Sequence, residues 1–118
     1  MNFDKIFLVW ANLMKKYTSL MIGWKNNLEK VVNENKKLIV IFWHPLCIPC
    51  KKIFIKVPVI FVFYKFKGYT LKFCNLKDNN EHCEKYNINT TPTMIIFENG
   101  KEVKRYEDEE VLKNLYKI

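Results

Sequence analysis

The sequence has little of what loosens a chain or carries it through a bilayer. Its 118 residues include only three glycines and four prolines, which excludes long flexible linkers, and there is no internal repeat or low-complexity tract. No apolar run approaches the ~20 residues that a membrane-spanning helix needs; Lys56 and Lys65 bracket the longest one. Cysteine is also scarce, at four, and a chain of this length can bury a core without disulfide staples. What is present is apolar: 49% hydrophobic and 15% aromatic residues exclude a disordered chain and imply one compact unit.

Acidic residues are outnumbered, 12 against 20 basic ones, for a net charge of +8. Lys15–Lys16, Lys36–Lys37, Lys51–Lys52 and Lys101 to Arg105 are scattered along the chain, and no nucleic-acid-binding motif accompanies them, so no nucleic-acid partner is expected. Near the start, "IFLVWANLM" is as long as a signal-peptide core. Asp4 dilutes its positive flank, however, and no small-x-small cleavage pattern follows. It reads as mature sequence of a cytoplasmic protein, with a secretory or organellar route left open by the apolar segment itself.

Phe3, Ile6, Phe7, Trp10, Leu13, Met14 and Tyr17 recur at spacings of three and four, which predicts an amphipathic helix over residues 1–17. Such an extension docks on the domain's own surface or contacts a partner or membrane surface through residues 3–17. The remaining residues, 18–118, form the main domain. "YTSLMI" offers a short strand and "WKNNLEKVVNENKK" a helix with Trp24, Leu28, Val31 and Val32 on one face. "KLIVIFW" is a β-branched apolar run of the kind buried on both faces in a parallel sheet.

"KKIFIKVPVIFVFYKF" fits either a helix, through Ile53, Phe54, Val57, Phe61 and Tyr64, or a doubly buried strand. Its place after a strand favours the helix. Pro58 removes the hydrogen bond to the Phe54 carbonyl and should kink or split that helix. "TLKFCNL" reads as a strand, and "DNNEHCEKY" as a short helix opened by Asp78 and Glu81 in a capping-box arrangement. Asn99-Gly100 marks a hairpin, and Asp108 caps a last helix carrying Val111, Leu112, Leu115 and Tyr116. The order is α-β-α-β-α-β-α-β-β-α.

The chemistry concentrates in "FWHPLCIPCKK", residues 42–52. A cysteine between a buried strand and a helix start sits where free N–H groups and the helix dipole favour a thiolate. Cys47 is thus the candidate nucleophile; Lys51 and Lys52 add positive field, and Pro49 suits the first turn. Cys50, one turn on, can attack a mixed disulfide formed at Cys47. Two other readings stand beside this one: two inert core cysteines, or a zinc half-site completed by Cys74 and Cys83, with His44 or His82 as substitutes. Neither Cys74 nor Cys83 forms a second close-spaced knuckle. Cys74 suits packing within its strand, and Cys83 is a candidate regulatory thiol.

Taken with "CNLKDNNEHCEKYNINTTPTMIIFENGKEV", the segment "VIFWHPLCIPCKK" resembles the thioredoxin family over residues 18–118. The strand ending in Phe-Trp, the C-x-P-C, the "TPT" and the Phe-x-Asn-Gly hairpin occur in the family's order. The resemblance implies an α/β thioredoxin fold, a central mixed sheet of four to five strands flanked by helices, here with the extra N-terminal helix. It implies a thiol–disulfide oxidoreductase in which Cys47 attacks and Cys50 resolves. Trp43 matches the tryptophan packed under the site, Thr91-Pro92 matches the cis-proline peptide that faces the cysteines and the substrate, and Ile48 and Pro49 lie on the same substrate-facing rim. No metal and no cofactor beyond the Cys47–Cys50 couple are implied. The implied partners are protein disulfides, with a thioredoxin-reductase-type enzyme or glutathione as electron donor.

The departures from the family are specific. Ile41 stands where a buried aspartate is usual, and Phe73 where its lysine partner is usual; His44 is the nearby titratable group that could aid proton transfer. Leu46 replaces a second tryptophan, Ile48 replaces a glycine, the family's glycine near Asp108 is missing, and Pro58 lies about three residues later than the family's kinking proline. These changes support an alternative in which the fold serves as a binding or scaffold module with weak or no redox activity.

Overall fold

A computed structural model describes residues 5, 21–22, 28–77 and 80–118. The chain runs β1 (Met21–Ile22), α1 (Leu28–Glu34), β2 (Lys37–Trp43), α2 (Ile48–Ile55), α3 (Val57–Phe66), β3 (Thr70–Asn75), α4 (Asn80–Lys85), β4 (Thr93–Glu98), β5 (Lys101–Glu107) and α5 (Glu109–Asn114). The strands form one sheet in the order β1-β3-β2-β4-β5. The first three run parallel, and β4 and β5 join antiparallel. The N-terminal helix expected over residues 1–17 lies outside the described residues apart from Lys5, as does most of "YTSLMI".

The β2 run explains the layering. Its side chains alternate across the sheet, so Ile39 and Ile41 join Ile53, Val57, Ile60, Tyr64, Val111 and Leu115 under α2, α3 and α5. Leu38, Val40 and Phe42 join Leu28 and Val32 of α1 on the other face. A strand covered on both sides must be apolar throughout, and this one is buried from Leu38 to Phe42. Tyr64 is buried too; its hydroxyl donates to Met94 Sδ, at 3.7 Å, and burial pushes its phenol well above the ordinary tyrosine value.

The ambiguous segment after the cysteines is helical but in two pieces. Pro58, in the first turn of α3, has no N–H to continue the α2 ladder. The break falls at Lys56, whose N–H donates to the Ile53 carbonyl at 2.9 Å and whose carbonyl accepts from Ile60 N at 3.0 Å. At the hairpin, Asn99 and Gly100 have φ of 54° and 80°, the left-handed pair that a type I′ turn requires. Asp78, the expected cap of α4, lies outside the described residues.

Candidate active site

The cysteine turn is built from the end of β2 outward. Cys47 N–H donates to the His44 carbonyl at 3.0 Å, and Leu46 N–H donates to His44 Nδ1 at 3.1 Å. These two bonds turn the chain from Trp43 into α2. Cys47 occupies the N-cap in an extended conformation, φ −84° and ψ 113°, and its Sγ accepts from Cys50 N–H at 3.3 Å. The sulfur thus occupies the place that a serine or aspartate oxygen holds in ordinary caps. The two cysteines form a disulfide, with Cα atoms 5.3 Å apart. Cys50 is 1% exposed, whereas Cys47 is half-buried.

Beneath the turn, Trp43 packs edge-on against Phe54, with ring centroids 4.6 Å apart, and Phe54 stacks on Phe73 at 5.2 Å. Among the described residues, Trp43 Nε1 is buried with no hydrogen-bond partner. Ile41 and Phe73 are register partners across β2 and β3, and both are fully buried. The cross-strand position where the resemblance places an ionic pair is therefore filled by two apolar side chains in contact with the same cluster as Ile53 and Phe54.

The opposite wall is the segment before β4. Thr93 pairs with Phe42 in the register, which sets Thr91 and Pro92 at the Trp43 end of β2. The Thr91–Pro92 peptide is cis. Pro92 is buried and Thr91 half-buried; the Pro92 carbonyl accepts from Asp108 N–H at 2.8 Å, and Thr93 Oγ1 donates to the Thr90 carbonyl at 2.7 Å. Leu46 and Ile48 stand out from the rim, 85% and 67% exposed, while Pro49 is half-buried.

Asp108 corrects one sequence expectation. It stands at the N-cap of α5 but its side chain makes no capping hydrogen bond, and its backbone takes φ 53°, ψ −124°, a region that favours glycine. The bond from its N–H to Pro92 holds it there. Relief of this strain predicts that Asp108→Gly stabilises the fold by about 1 kcal/mol, read as a raised urea midpoint at unchanged slope; a lowered midpoint contradicts it.

Arg105 is a residue the sequence reading did not single out. From β5 it donates to the carbonyls of Tyr86 at 2.7 Å and Asn87 at 3.1 Å, and it pairs with Glu102. It fastens the connection that leads to Thr91–Pro92 onto the edge strand, and the Glu102 carboxylate raises its already high pKa. Only its isolation as the single arginine of the chain hinted at a separate role.

Cys74, the third cysteine, is buried on the other face of the sheet with Phe42 and Leu28. The side chains of His82 and Cys83 lie outside the described residues. Among the described residues, no three His, Cys, Asp or Glu side chains gather into a metal-binding group.

Comparison with known proteins gives this geometry its family. The thioredoxin sequence model matches residues 19–118. The chain belongs to the thioredoxin family. It is 37% identical over 75 residues to thioredoxin of Griffithsia pacifica, covering 64% of this chain and 68% of that one. It is 36% identical over 82 residues to thioredoxin of Mycoplasma genitalium, covering 66% and 74%. The solution structure of oxidised thioredoxin from Plasmodium falciparum superposes with a TM-score of 0.64 at 25% identity, covering 76% of this chain and 86% of that one. With the cysteine pair in place on this fold, the protein is a thiol–disulfide oxidoreductase whose redox group is part of its own chain.

Proposed function

We propose that Cys47 is the attacking cysteine and Cys50 the resolving one, and that the protein reduces disulfides of other proteins. The difference in burial between the two cysteines carries this assignment: Cys47 is half-buried and open to an incoming disulfide, whereas Cys50 is 1% exposed. In the reduced protein the Cys50 N–H and the N-terminus of α2 would hold negative charge on Cys47 Sγ. That thiolate attacks one substrate sulfur, forming a mixed disulfide and expelling the other as a thiolate. Cys50, as its thiolate, then attacks Cys47 Sγ, closing the disulfide of the oxidised protein and releasing the second substrate sulfur. Two electrons pass to the substrate, and two protons from the cysteine thiols end on its sulfurs.

Trp43, Ile48, Pro49, Thr91 and Pro92 form the substrate-facing surface in this reading, with Thr91 offering backbone to an extended segment. His44 Nδ1 is occupied by Leu46 N–H, so Nε2 is its nitrogen for proton exchange with the site. A thioredoxin-reductase-type enzyme or glutathione returns two electrons to the disulfide. The test is insulin reduction with dithiothreitol as electron source: wild type accelerates it and Cys47→Ser does not, whereas equal rates overturn the assignment.

A further inference from the structure

Helix α3 carries an apolar surface that the core does not use. Val57, Ile60 and Tyr64 are buried against the sheet, but Val59, Val62 and Phe66 on the opposite side are 59%, 52% and 88% exposed. Their spacing places them on one stripe. Lysines border that stripe on both flanks, with their heads held over aromatic rings. On one flank Lys65 Nζ is 5.9 Å from the Phe61 ring centroid; on the other, Lys67 Nζ is 5.7 Å from that of Phe63 and Lys56 Nζ 6.0 Å from that of Tyr116. Residues 35–77, which include α3, contain nine lysines and no aspartate or glutamate, so this part of the chain accounts for the net +8.

An apolar stripe between two rows of ammonium groups fits one kind of surface. At an anionic bilayer, valine and phenylalanine enter the headgroup–acyl boundary while lysines reach up to the lipid phosphates and carboxylates. A nucleic acid would leave the stripe unpaired. Residues 3–17 of the same chain bring their own stripe but carry three lysines against one aspartate, so charge opposes their docking here. We propose that the outer face of α3 docks the protein on anionic membrane surfaces, independently of the thiol chemistry.

The test is co-sedimentation of the full chain with phosphatidylcholine vesicles with or without about 30% phosphatidylserine, in about 0.1 M salt. Binding is expected to be about tenfold or more stronger with phosphatidylserine, and to fall about tenfold in Lys65→Gln/Lys67→Gln. Val62→Asp/Phe66→Asp should lose binding while retaining insulin reduction, which shows that it folds; should it not fold, the lysine pair still decides. Four results overturn the proposal: no binding by wild type, equal binding to both vesicles, variants that bind like wild type because residues 3–17 carry the contact, or a dimer in solution that Val62→Asp/Phe66→Asp dissolves.

Discussion

Cys47→Ser is expected to bring insulin reduction down to the rate of dithiothreitol alone, and Cys50→Ser to stop the cycle one step later. A serine hydroxyl at the N-cap would still accept the Cys50 N–H, so the fold and the turn should survive. What is lost is a sulfur that can ionise near neutral pH and exchange bonds with another sulfur. In Cys50→Ser the attack proceeds but no thiol of the protein releases the product, so when the pre-reduced variant meets insulin with dithiothreitol removed, a mixed disulfide at Cys47 should accumulate and be visible by mass spectrometry under non-reducing conditions. Accumulation in the Cys47→Ser protein instead would exchange the two roles. The burial of Cys50, at 1% exposure, argues against that outcome.

Restoring an acid at position 41 is expected to have the largest effect on stability. Ile41 is 1% exposed and faces Phe73 across the register, with no cation in the lysine position of the family. A carboxylate placed there by Ile41→Asp would be desolvated and unpaired, at a cost of about 3–5 kcal/mol at neutral pH. Burial disfavours the charged form, so the pKa of the new group rises above about 4 in the folded state only. Between the unfolded and folded values the native state binds the extra proton, and stability falls as pH rises. Urea unfolding should therefore show a smaller loss near pH 4 than near pH 7. Equal losses at the two pH values would mean that the acid is solvated or paired. Phe73→Lys added to Ile41→Asp should recover part of the neutral-pH loss.

Much of this architecture was legible in the residues because single interactions decided it. The continuous apolar run from Leu38 to Phe42 has no stable place except a doubly covered strand. Asn99-Gly100 is the pair that tolerates two successive left-handed residues, and the hairpin falls there. Between Ile53 and Tyr64 the pattern left helix and strand open, because nearly every residue is apolar; the exposed Val59, Val62 and Phe66 blur a periodicity that burial alone would have made plain. Pro58 announced an interruption, and the ladder breaks at Lys56.

The site was legible in its parts more than in its joints. Cys47, Cys50 and Trp43 stand where a strand-to-helix turn puts them, and the buried ring of Phe54 between Trp43 and Phe73 follows from the helical spacing. Two features depended on tertiary contacts that no local pattern encodes. One is the backbone of Asp108, held in a glycine-like conformation by its bond to Pro92. The other is Arg105, which reaches the carbonyls of Tyr86 and Asn87 from a distant strand.

The most direct measurement is the alkylation rate of each cysteine in the reduced protein at pH 7, followed by peptide mass spectrometry. Cys47 should react about tenfold faster than an ordinary exposed thiol, because the Cys50 N–H and the N-terminus of α2 favour its thiolate, while Cys50 stays protected until the fold is opened. An ordinary rate at Cys47, or faster labelling of Cys50, contradicts the assignment of nucleophile and resolving thiol.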